Sequence, residues 1–393
     1  MRLPVLAFLL ATPALADTDP ADWDAVLEAA NGQTVYWHAW GGSTATNDFI
    51  GWIGDQVAGY GVTLEHVKLA DTADAVARVR AEQQAGQKSG GAVDLIWING
   101  ANFAAMKGSD LLFGPFAGAL PNWQFVDPAK GETDFTVPTE GFESPWAAAQ
   151  VVFMYDTADL AEPLGSLQAI GDWAAANPGR FTYPQPPDFL GTTFLKQALY
   201  ELTPDPALLA QPVDAVDYAA ATDPLWDWLD ALTPSLWRQG RAYPQTGPAQ
   251  LALMNDDEID LAISFSPGEA STAIANFQLP ETVRTFVLDG GTIGNASFVA
   301  IPFNSSAKEG AMIVANTLLS PEAQARAQDP EILGYGTVLD TAALPEPDRA
   351  LFDALTLGVA TLSPSELGAV LPEPHPTWAT ALAEDWQNRY GTR

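Results

Sequence analysis

The sequence contains no cysteine, and its three histidines (His38, His66 and His375) are far apart. Without thiols the chain can form neither a disulfide nor a thiolate metal site. The histidines also lack the H-E-x-x-H spacing of a zinc protease. We therefore expect no bound metal, no cofactor and no redox function.

Basic residues are scarce as well. The chain has 17 Lys and Arg against 49 Asp and Glu, which gives a formal net charge of -32. A surface this acidic repels the phosphates of nucleic acids and of anionic lipids, so we expect neither as a partner. Apolar residues, in contrast, make up 47% of the 393 positions. That is ample material for packed cores, and the length is typical of two domains.

The one long apolar run stands at the start of the chain, after Arg2, and covers residues 3–15. About a dozen residues are too few to span a hydrocarbon layer roughly 30 Å thick. The run ends in the small residues Ala14 and Ala16, which is typical of a signal peptide cleaved before Asp17; the alternative is a buried N-terminal helix. We expect residues 1–16 to direct export. With no cysteine to carry a lipid anchor, the mature protein would be free in the periplasm.

Strand and helix patterns alternate in the first hundred residues. Residues 34–40, 62–69 and 93–98 read as strands, and each is followed by a helical pattern. Such alternation predicts a mostly parallel sheet with helices on both faces. Ligands of such sheets bind outside the carboxyl ends of the strands. The residues that follow the first and third strands are therefore candidates for a site.

Two apolar segments, residues 146–155 and 296–301, flank a middle region that has helices and strands of its own. This order predicts one lobe interrupted by another, with the two segments as crossings between them. Either lobe can receive the C-terminal helices. The predicted bounds are 17–143 with 300–345 for lobe I, and 144–299 with 346–393 for lobe II.

Sequence patterns for catalysis are weak. Residues 41–45 approach a nucleophile elbow but lack the last glycine of G-x-S-x-G. No P-loop occurs, and residues 291–294 precede a strand where a dinucleotide fingerprint must follow one. We therefore expect a binding protein and no enzyme. A secreted carbohydrate-active enzyme or a lectin-like protein is the alternative, because so many carboxylates do not exclude a glycosidase pair.

Glycine and hydroxyl residues stand at two helix starts. In the first lobe Gly41, Gly42 and Ser43 follow the first strand, where free backbone N–H groups favour an anionic group. In the second lobe the same chemistry recurs at Gly191, Thr192 and Thr193. Each group is also typical of an ordinary helix cap. We predict that the two form facing sides of one ligand site.

Aromatic and acidic residues add to this candidate site. Trp40 abuts the glycine turn and offers a flat face to a solute. Asp188 and Glu269 stand in turn-rich stretches where they can pair with a ligand cation, although a solvated loop carboxylate is the alternative for each. The remaining candidates follow the third strand or bracket the first crossing: Asn99, Asn102, Trp146 and Tyr155.

Several segments resemble the extracellular solute-binding proteins of ABC importers. The resemblance covers essentially the whole mature chain and is closest to the group that includes thiamine, ferric-iron and polyamine binders. It implies a type II periplasmic-binding-protein fold, in which two α/β lobes, each a mostly parallel sheet flanked by helices, close over a solute in the cleft between them. It also implies a monomer that delivers its solute to permease subunits. The matching segments are residues 35–43, 93–99, 145–156, 177–184, 189–194, 298–302, 307–311 and 319–324.

The ligand class is narrowed by one departure from the group. Ferric-iron binders of this group typically present adjacent tyrosines, and this chain has no Tyr-Tyr pair. Iron is therefore disfavoured. Helix starts, aromatic rings and carboxylates together favour a small organic solute that is thiamine-like, zwitterionic or otherwise cationic. A simple polyamine fits the carboxylates alone.

Overall fold

The computed structural model describes residues 18–363 and 365–391. The predicted signal peptide lies outside these residues. Within them, no helix combines the length and the apolar character needed to cross a membrane.

The strands form two main sheets and one small hairpin. In the larger sheet the order is β11-β10-β3-β1-β2, and β6 also pairs with β10. In the second sheet β7 lies between β8 and β9. The strands are β1 (Thr34–Trp40), β2 (Thr63–Leu69), β3 (Leu95–Ile98), β4 (Thr133–Asp134), β5 (Val137–Pro138), β6 (Glu143–Gln150), β7 (Val152–Asp156), β8 (Leu261–Ser264), β9 (Val283–Phe286), β10 (Thr292–Ala300) and β11 (Val370–Leu371).

Helices occur between the strands along the whole described chain. They are α1 (Trp23–Ala30), α2 (Thr44–Val57), α3 (Thr72–Gln84), α4 (Gly100–Lys107), α5 (Pro128–Gly131), α6 (Leu167–Ala176), α7 (Phe189–Leu202), α8 (Tyr218–Leu232), α9 (Gly247–Asn255), α10 (Glu269–Ala275), α11 (Lys308–Leu318), α12 (Pro321–Gln328), α13 (Glu346–Asp353) and α14 (Thr377–Tyr390).

Strand β1 is the centre of the parallel part of the larger sheet, where it pairs with both β2 and β3. Its side chains alternate, and Val35, Trp37 and Ala39 are wholly buried. At its end the N–H of Gly41 donates to the carbonyl of Leu69, which closes the β1–β2 ladder. The chain then turns into α2, which Ser43 caps.

Buried side chains of the described residues form two large cores and a smaller third cluster, which contains Met154, Ala262, Ala270 and Val283. The first core, which runs from Val26 to Leu344, takes Trp146 and Ala147 from β6 and Ala296 and Phe298 from β10. The second core begins at Val151, includes Ile293 and ends in α14 with Trp378, Leu382 and Trp386. The chain therefore passes between the cores at residues 147–151 and again at 293–296. Helix α14 packs on the second core.

Strands β6 and β10 make both crossings as one antiparallel pair. Their register runs from Gly294 opposite Gln150 to Ala300 opposite Glu143, with an irregularity between Ser297 and Phe298. Strand β11 adds a third chain segment, parallel to the start of β10. We call the antiparallel pair of β6 and β10 the β6–β10 ribbon.

The structure corrects two sequence expectations about strands. Residues 146–155 were expected to form one strand, but they belong to β6 and β7, which enter different sheets on either side of Val151. In the second sheet β7 is antiparallel to both β8 and β9, although mostly parallel pairing is expected from alternation of strands and helices. Hydrophobic periodicity identifies a strand but not the direction in which its partner runs.

Candidate functional site

The two cores meet above the β6–β10 ribbon, and residues from both come into contact there. Lys196 of α7 lies under the ring of Phe135, with its Nζ 5.0 Å from the ring centroid. Ser266, just before α10, donates from its hydroxyl to the carbonyl of Gly334 at 3.3 Å. Phe189, the first residue of α7, also lies near Lys196 and packs edge-on against Phe265. These contacts link the starts of α7 and α10 to the segment around Phe135, and we call this region the junction and the candidate site.

The start of α4 is fixed by the β4–β5 hairpin. The N–H of Gly100 donates to Asp134 Oδ2 at 2.5 Å. A Cβ on Gly100 would lie 2.6 Å from the ring of Phe135, so glycine is needed for this close approach. Asn99, half-buried, precedes the helix without capping it through its side chain, and Asn102 is also half-buried. Both asparagines thus lie at the edge of the junction.

A buried ion pair lies below Phe135. Lys196 Nζ is 2.6 Å from Glu373 Oε2, and the two side chains are only 3% and 1% exposed. The other carboxylate oxygen of Glu373 accepts from Asn295 Nδ2 at 2.9 Å. Because Asn295 belongs to β10, the pair ties α7 and the C-terminal segment to the ribbon.

Several buried acceptors at this junction have no hydrogen-bond partner among the described residues. They are Asp134 Oδ1, Asn295 Oδ1, Thr193 Oγ1 and both carboxyl oxygens of Glu143. Burial raises the pKa of Asp134 to about 8, with Glu373 adding to the rise while the Gly100 N–H and Lys196 oppose it. Burial also raises the pKa of Glu143 well above its usual range, and Asp134 contributes to that rise. A group that donates hydrogen bonds would satisfy these oxygens.

The start of α2 lies at the same junction. The hydroxyl of Ser43 accepts from the N–H of Thr46 at 3.4 Å. Trp40 is half-buried, and its indole lies so close to Gly42 that a Cβ there would overlap the ring. Gly41 likewise approaches the side chain of Lys68, which a Cβ would contact at 2.6 Å. Gly42 therefore allows Trp40 to fold back along its own turn, and Gly41 leaves room for the side chain of Lys68.

Glu269 is the first residue of α10, whose Ala270 and Ala273 belong to the third cluster of buried side chains. The hydroxyl of Ser264 donates to its carboxylate, and burial raises the pKa of Glu269. Thr46 Oγ1 and Tyr335 Oη lie 3.2 Å apart. Burial raises the pKa of Tyr335 to about 12, and the negative charge of Glu269 adds to the rise. The start of α10 thus faces the start of α2 across Tyr335.

The start of α7 differs from the sequence expectation. The helix begins at Phe189, two residues before Gly191, and the carboxylate of Asp188 accepts from the N–H groups of Leu190 and Gly191 at 2.9 and 3.2 Å. These N–H groups are therefore used within the chain. A Cβ on Gly191 would overlap the carbonyl oxygen of Pro184, which explains the glycine by packing. Thr192 and Thr193 are buried. An anion site at Gly191, Thr192 and Thr193 is thus corrected to a capped, packed helix start.

Asp188 itself remains at the junction. Burial raises its pKa against the effect of the two N–H donors, and the charge of Asp71, the N-cap of α3, raises it further. Asp71 belongs to the segment that follows β2 in the larger sheet. Two acidic residues therefore face each other across the mouth of the junction.

Trp146 and Tyr155 are corrected from ligand contacts to core residues. Trp146 has no exposed surface and lies among Trp37, Trp97 and Phe49, with ring centroids 4.7 to 6.1 Å away. Tyr155 is 8% exposed and packs on Phe286 in the second core. Large aromatic side chains supply much of the apolar area that a core buries, and both rings have that role.

Sequence reasoning missed several residues of the junction, among them Asp134, Phe135, Lys196, Asn295 and Glu373. Lys196 offered one signal, since it is a single charge in the apolar stretch 194–199, all of which is buried. Its partner Glu373 stands between two prolines, 177 positions away. No local pattern joins the two.

The fold defines a class of protein, a two-lobed α/β protein. The family model of bacterial extracellular solute-binding proteins matches residues 56–351. The chain is also 44% identical to protein YnjB of Escherichia coli strain K12 over 379 residues, 95% of each chain. The chain belongs to the family of bacterial extracellular solute-binding proteins.

Solved structures with the same fold have low sequence identity to this chain. A spermidine/putrescine ABC transporter protein from Listeria monocytogenes, described as putative in its name, matches with a TM-score of 0.63, 16% identity, and 90% and 98% coverage of this chain and of its own. The periplasmic binding protein AfuA from Actinobacillus pleuropneumoniae, solved with fructose-6-phosphate, matches with a TM-score of 0.65, 12% identity, and 92% and 99% coverage. These matches show the two-lobed type II fold of periplasmic binding proteins.

Proposed function

We propose that the protein is the substrate-binding component of an ABC importer and that it captures a small organic cation or zwitterion in the cleft between its lobes. The observation that carries this proposal is the excess of hydrogen-bond acceptors at the junction. Asp134, Asp188 and Glu269 come from both sides of it, whereas the ammonium of Lys196 already has a carboxylate partner. A solute that brings N–H donors and positive charge complements this arrangement.

Aromatic rings support the same class of solute. Phe189 is 45% exposed at the start of α7, and Phe265 packs edge-on against it at 5.3 Å. Trp40 is half-buried at the end of β1. Aromatic faces attract organic cations and stack on flat heterocycles. A thiamine-like solute has both features, a cationic ring and a flat ring.

The names of the structural relatives point to different solutes. The Listeria protein is named for spermidine and putrescine, and AfuA was solved with fructose-6-phosphate. Burial raises the pKa values of Asp134, Asp188 and Glu269. A sugar phosphate would raise these pKa values further through its negative charge, whereas a cation would lower them and pair with the ionised carboxylates. The charge at the junction therefore favours a cation over a sugar phosphate for this chain.

The two cores support a division into lobes. We assign lobe I to residues 18–147 and 296–345, which share the first core, and lobe II to residues 151–293 with α14, which form the second core and most of the third cluster. The β6–β10 ribbon is then the hinge. We further propose a periplasmic monomer that hands its solute unchanged to permease subunits. Intact-mass measurement of periplasmic protein tests the location, because a mature chain that begins at Asp17 is expected.

A thermal-shift screen followed by titration calorimetry tests the solute class. The panel should contain thiamine, choline, spermidine, zwitterionic amino acids and fructose-6-phosphate at constant ionic strength. At a hundred times Kd, binding adds about 2.7 kcal/mol to stability, a shift of a few degrees. We expect one of the cations or zwitterions to give this shift. Stabilisation by the sugar phosphate alone would contradict the proposal.

Matched variants locate the binding. Asp188→Asn should weaken the affinity for the solute found in the screen, because it removes a charge at the mouth of the cleft. Glu65→Gln removes an exposed charge on β2, remote from the junction, and should leave the affinity unchanged. Equal effects of the two variants would show a response to net charge alone.

A further inference from the structure

We propose that Lys196 is a resident ammonium which fills the place in the cleft where an external ammonium would bind, and that it thereby excludes linear polyamines. This inference rests on the proposed function and concerns the specificity of the same cleft. The place is formed by Phe135, Phe189 and Glu373, which we call the ammonium cage. An aromatic cage with a carboxylate is a typical binding place for an ammonium group.

The geometry of the cage is that of a ligand site already occupied. Lys196 Nζ lies 5.0 Å from the ring centroid of Phe135 and 5.5 Å from that of Phe189. Its contact with Glu373 Oε2 is 2.6 Å. Phe135 comes from the β4–β5 hairpin of lobe I and Phe189 from α7 of lobe II. The ammonium is therefore enclosed by both lobes, as a bound solute would be.

The cage accepts one positive charge and no more. Glu373 uses one oxygen for Lys196 and the other for Asn295. A second ammonium would share an engaged carboxylate and lie close to the first in a place from which water is excluded, where like charges repel strongly. The acceptors that remain nearby, Asp134 Oδ1 and Asn295 Oδ1, lie outside the cage. They can take a single donor group of a solute.

A linear diamine needs two such places at a fixed separation. In this chain one of them holds Lys196, so a solute with one cationic group fits and a polyamine does not. Lys196 would then give this chain a solute specificity that differs from that of relatives named for polyamines.

Chemical rescue tests the proposal. Lys196→Ala removes three methylenes and the amino group, which together correspond to n-propylammonium. We expect n-propylammonium to stabilise the Lys196→Ala variant against urea and to bind it at least about tenfold more tightly than it binds the wild-type protein. Putrescine, with the same ammonium and a longer chain, should show the same gain.

The controls separate the cage from general effects of salt and charge. n-Propanol has nearly the same shape without the charge and should not rescue Lys196→Ala. Lys88→Ala removes an exposed lysine and should gain no affinity for n-propylammonium. Lys196→Met keeps the cage filled without a charge and should also gain none. Rescue by n-propanol, or equal gain in Lys88→Ala, would overturn the proposal.

If the Lys196→Ala variant does not fold without an added ammonium compound, a measurement on the wild-type protein still tests the proposal. Putrescine and spermidine should not stabilise the wild-type protein beyond an equal concentration of salt, and clear stabilisation by either would overturn the inference. The rescue experiment uses its own probe. A failed rescue would therefore count against the ammonium cage and not against the proposed function. A screen in which no cation binds would count against the proposed function and not against the ammonium cage.

Discussion

Trp40 is the last residue of β1 and precedes the glycine turn that leads into α2. Its indole rests on Gly42 with part of the ring exposed. A solute stacked on that ring in a closed cleft gains on the order of 1–3 kcal/mol. Trp40→Ala should therefore raise the Kd of the solute found in the screen by roughly 5- to 150-fold. Titration calorimetry measures the change.

Trp37 supplies the matched control for this prediction. It lies two residues earlier on the same strand but is wholly buried. Trp37→Ala should cost about 3–5 kcal/mol of folding stability, as measured by urea denaturation. If Trp40→Ala shows the same loss of stability and a wild-type affinity, Trp40 belongs to the core and not to the site.

Asp134 makes stability depend on pH. Its pKa is raised to about 8 in the folded chain by burial, whereas an unfolded Asp titrates near 3.9. Between these values the folded state holds a proton that the unfolded state releases, so stability should fall as pH rises, by at most about 1.4 kcal/mol per pH unit. Besides burial, the groups that act on the pKa of Asp134 are the N–H of Gly100, Glu373 and Lys196.

Asp134→Asn tests this dependence. Asparagine keeps an acceptor for the Gly100 N–H but does not ionise, so the fall in stability from pH 5 to pH 8 should become shallower than in the wild type. Glu143, whose pKa is also raised by burial, should keep part of the slope. Urea denaturation across this pH range gives the comparison, with Glu65→Gln as the exposed control. An unchanged slope in Asp134→Asn would contradict the expected proton.

At the residue scale, sequence reasoning could locate candidate residues that lie next to the end of a strand or helix, and their part in a site stays a prediction. Trp40, Ser43, Asn99 and Asp188 each stand beside a strand or helix terminus, and the structure has them at such termini. Lys196 and Glu373 were not found, because only the folding of distant segments brings them together. Trp146 was misjudged, since a ring that ends an apolar run has the same pattern whether it faces a core or a cleft.

At the scale of single elements, two glycines in helices should respond oppositely to alanine. In α7 a Cβ on Gly191 overlaps the carbonyl of Pro184, and Gly191→Ala should destabilise folding by about 1–3 kcal/mol. In α2 a Cβ on Gly51 meets nothing within 4 Å, and Gly51→Ala should stabilise by roughly 0.5–1 kcal/mol. Denaturation midpoints of the two variants compare them directly. Equal effects would contradict the packing described for α7.

Element bounds followed from sequence where the pattern was local. Strand β1 has the predicted bounds, and β2 begins one residue later than predicted. Helix α7 starts earlier than predicted because Asp188, and not Gly191, supplies the cap. The antiparallel second sheet was not predicted, since its partners β8 and β9 are far from β7 in the sequence.

For the whole molecule, the β6–β10 ribbon should act as the hinge of a closing motion. Both crossings lie in one paired unit, so rotation of one lobe against the other bends a single ribbon. Small-angle scattering should show a smaller radius of gyration at saturation with the bound solute than without it. A panel member that does not bind is the control. An unchanged radius at saturation would indicate a rigid pocket.

Strand β10 also has a consequence for the time at which the protein can acquire structure. It pairs with β3 on one side and with β6 on the other, yet it is synthesised long after both. Until it emerges from the ribosome, the first lobe has an open sheet edge and an incomplete core, and pairings this distant in sequence form slowly. The larger sheet therefore cannot be completed before residues 292–300 have been synthesised. If the predicted signal peptide directs export, this late strand would delay the folding of the first lobe until most of the chain has been made.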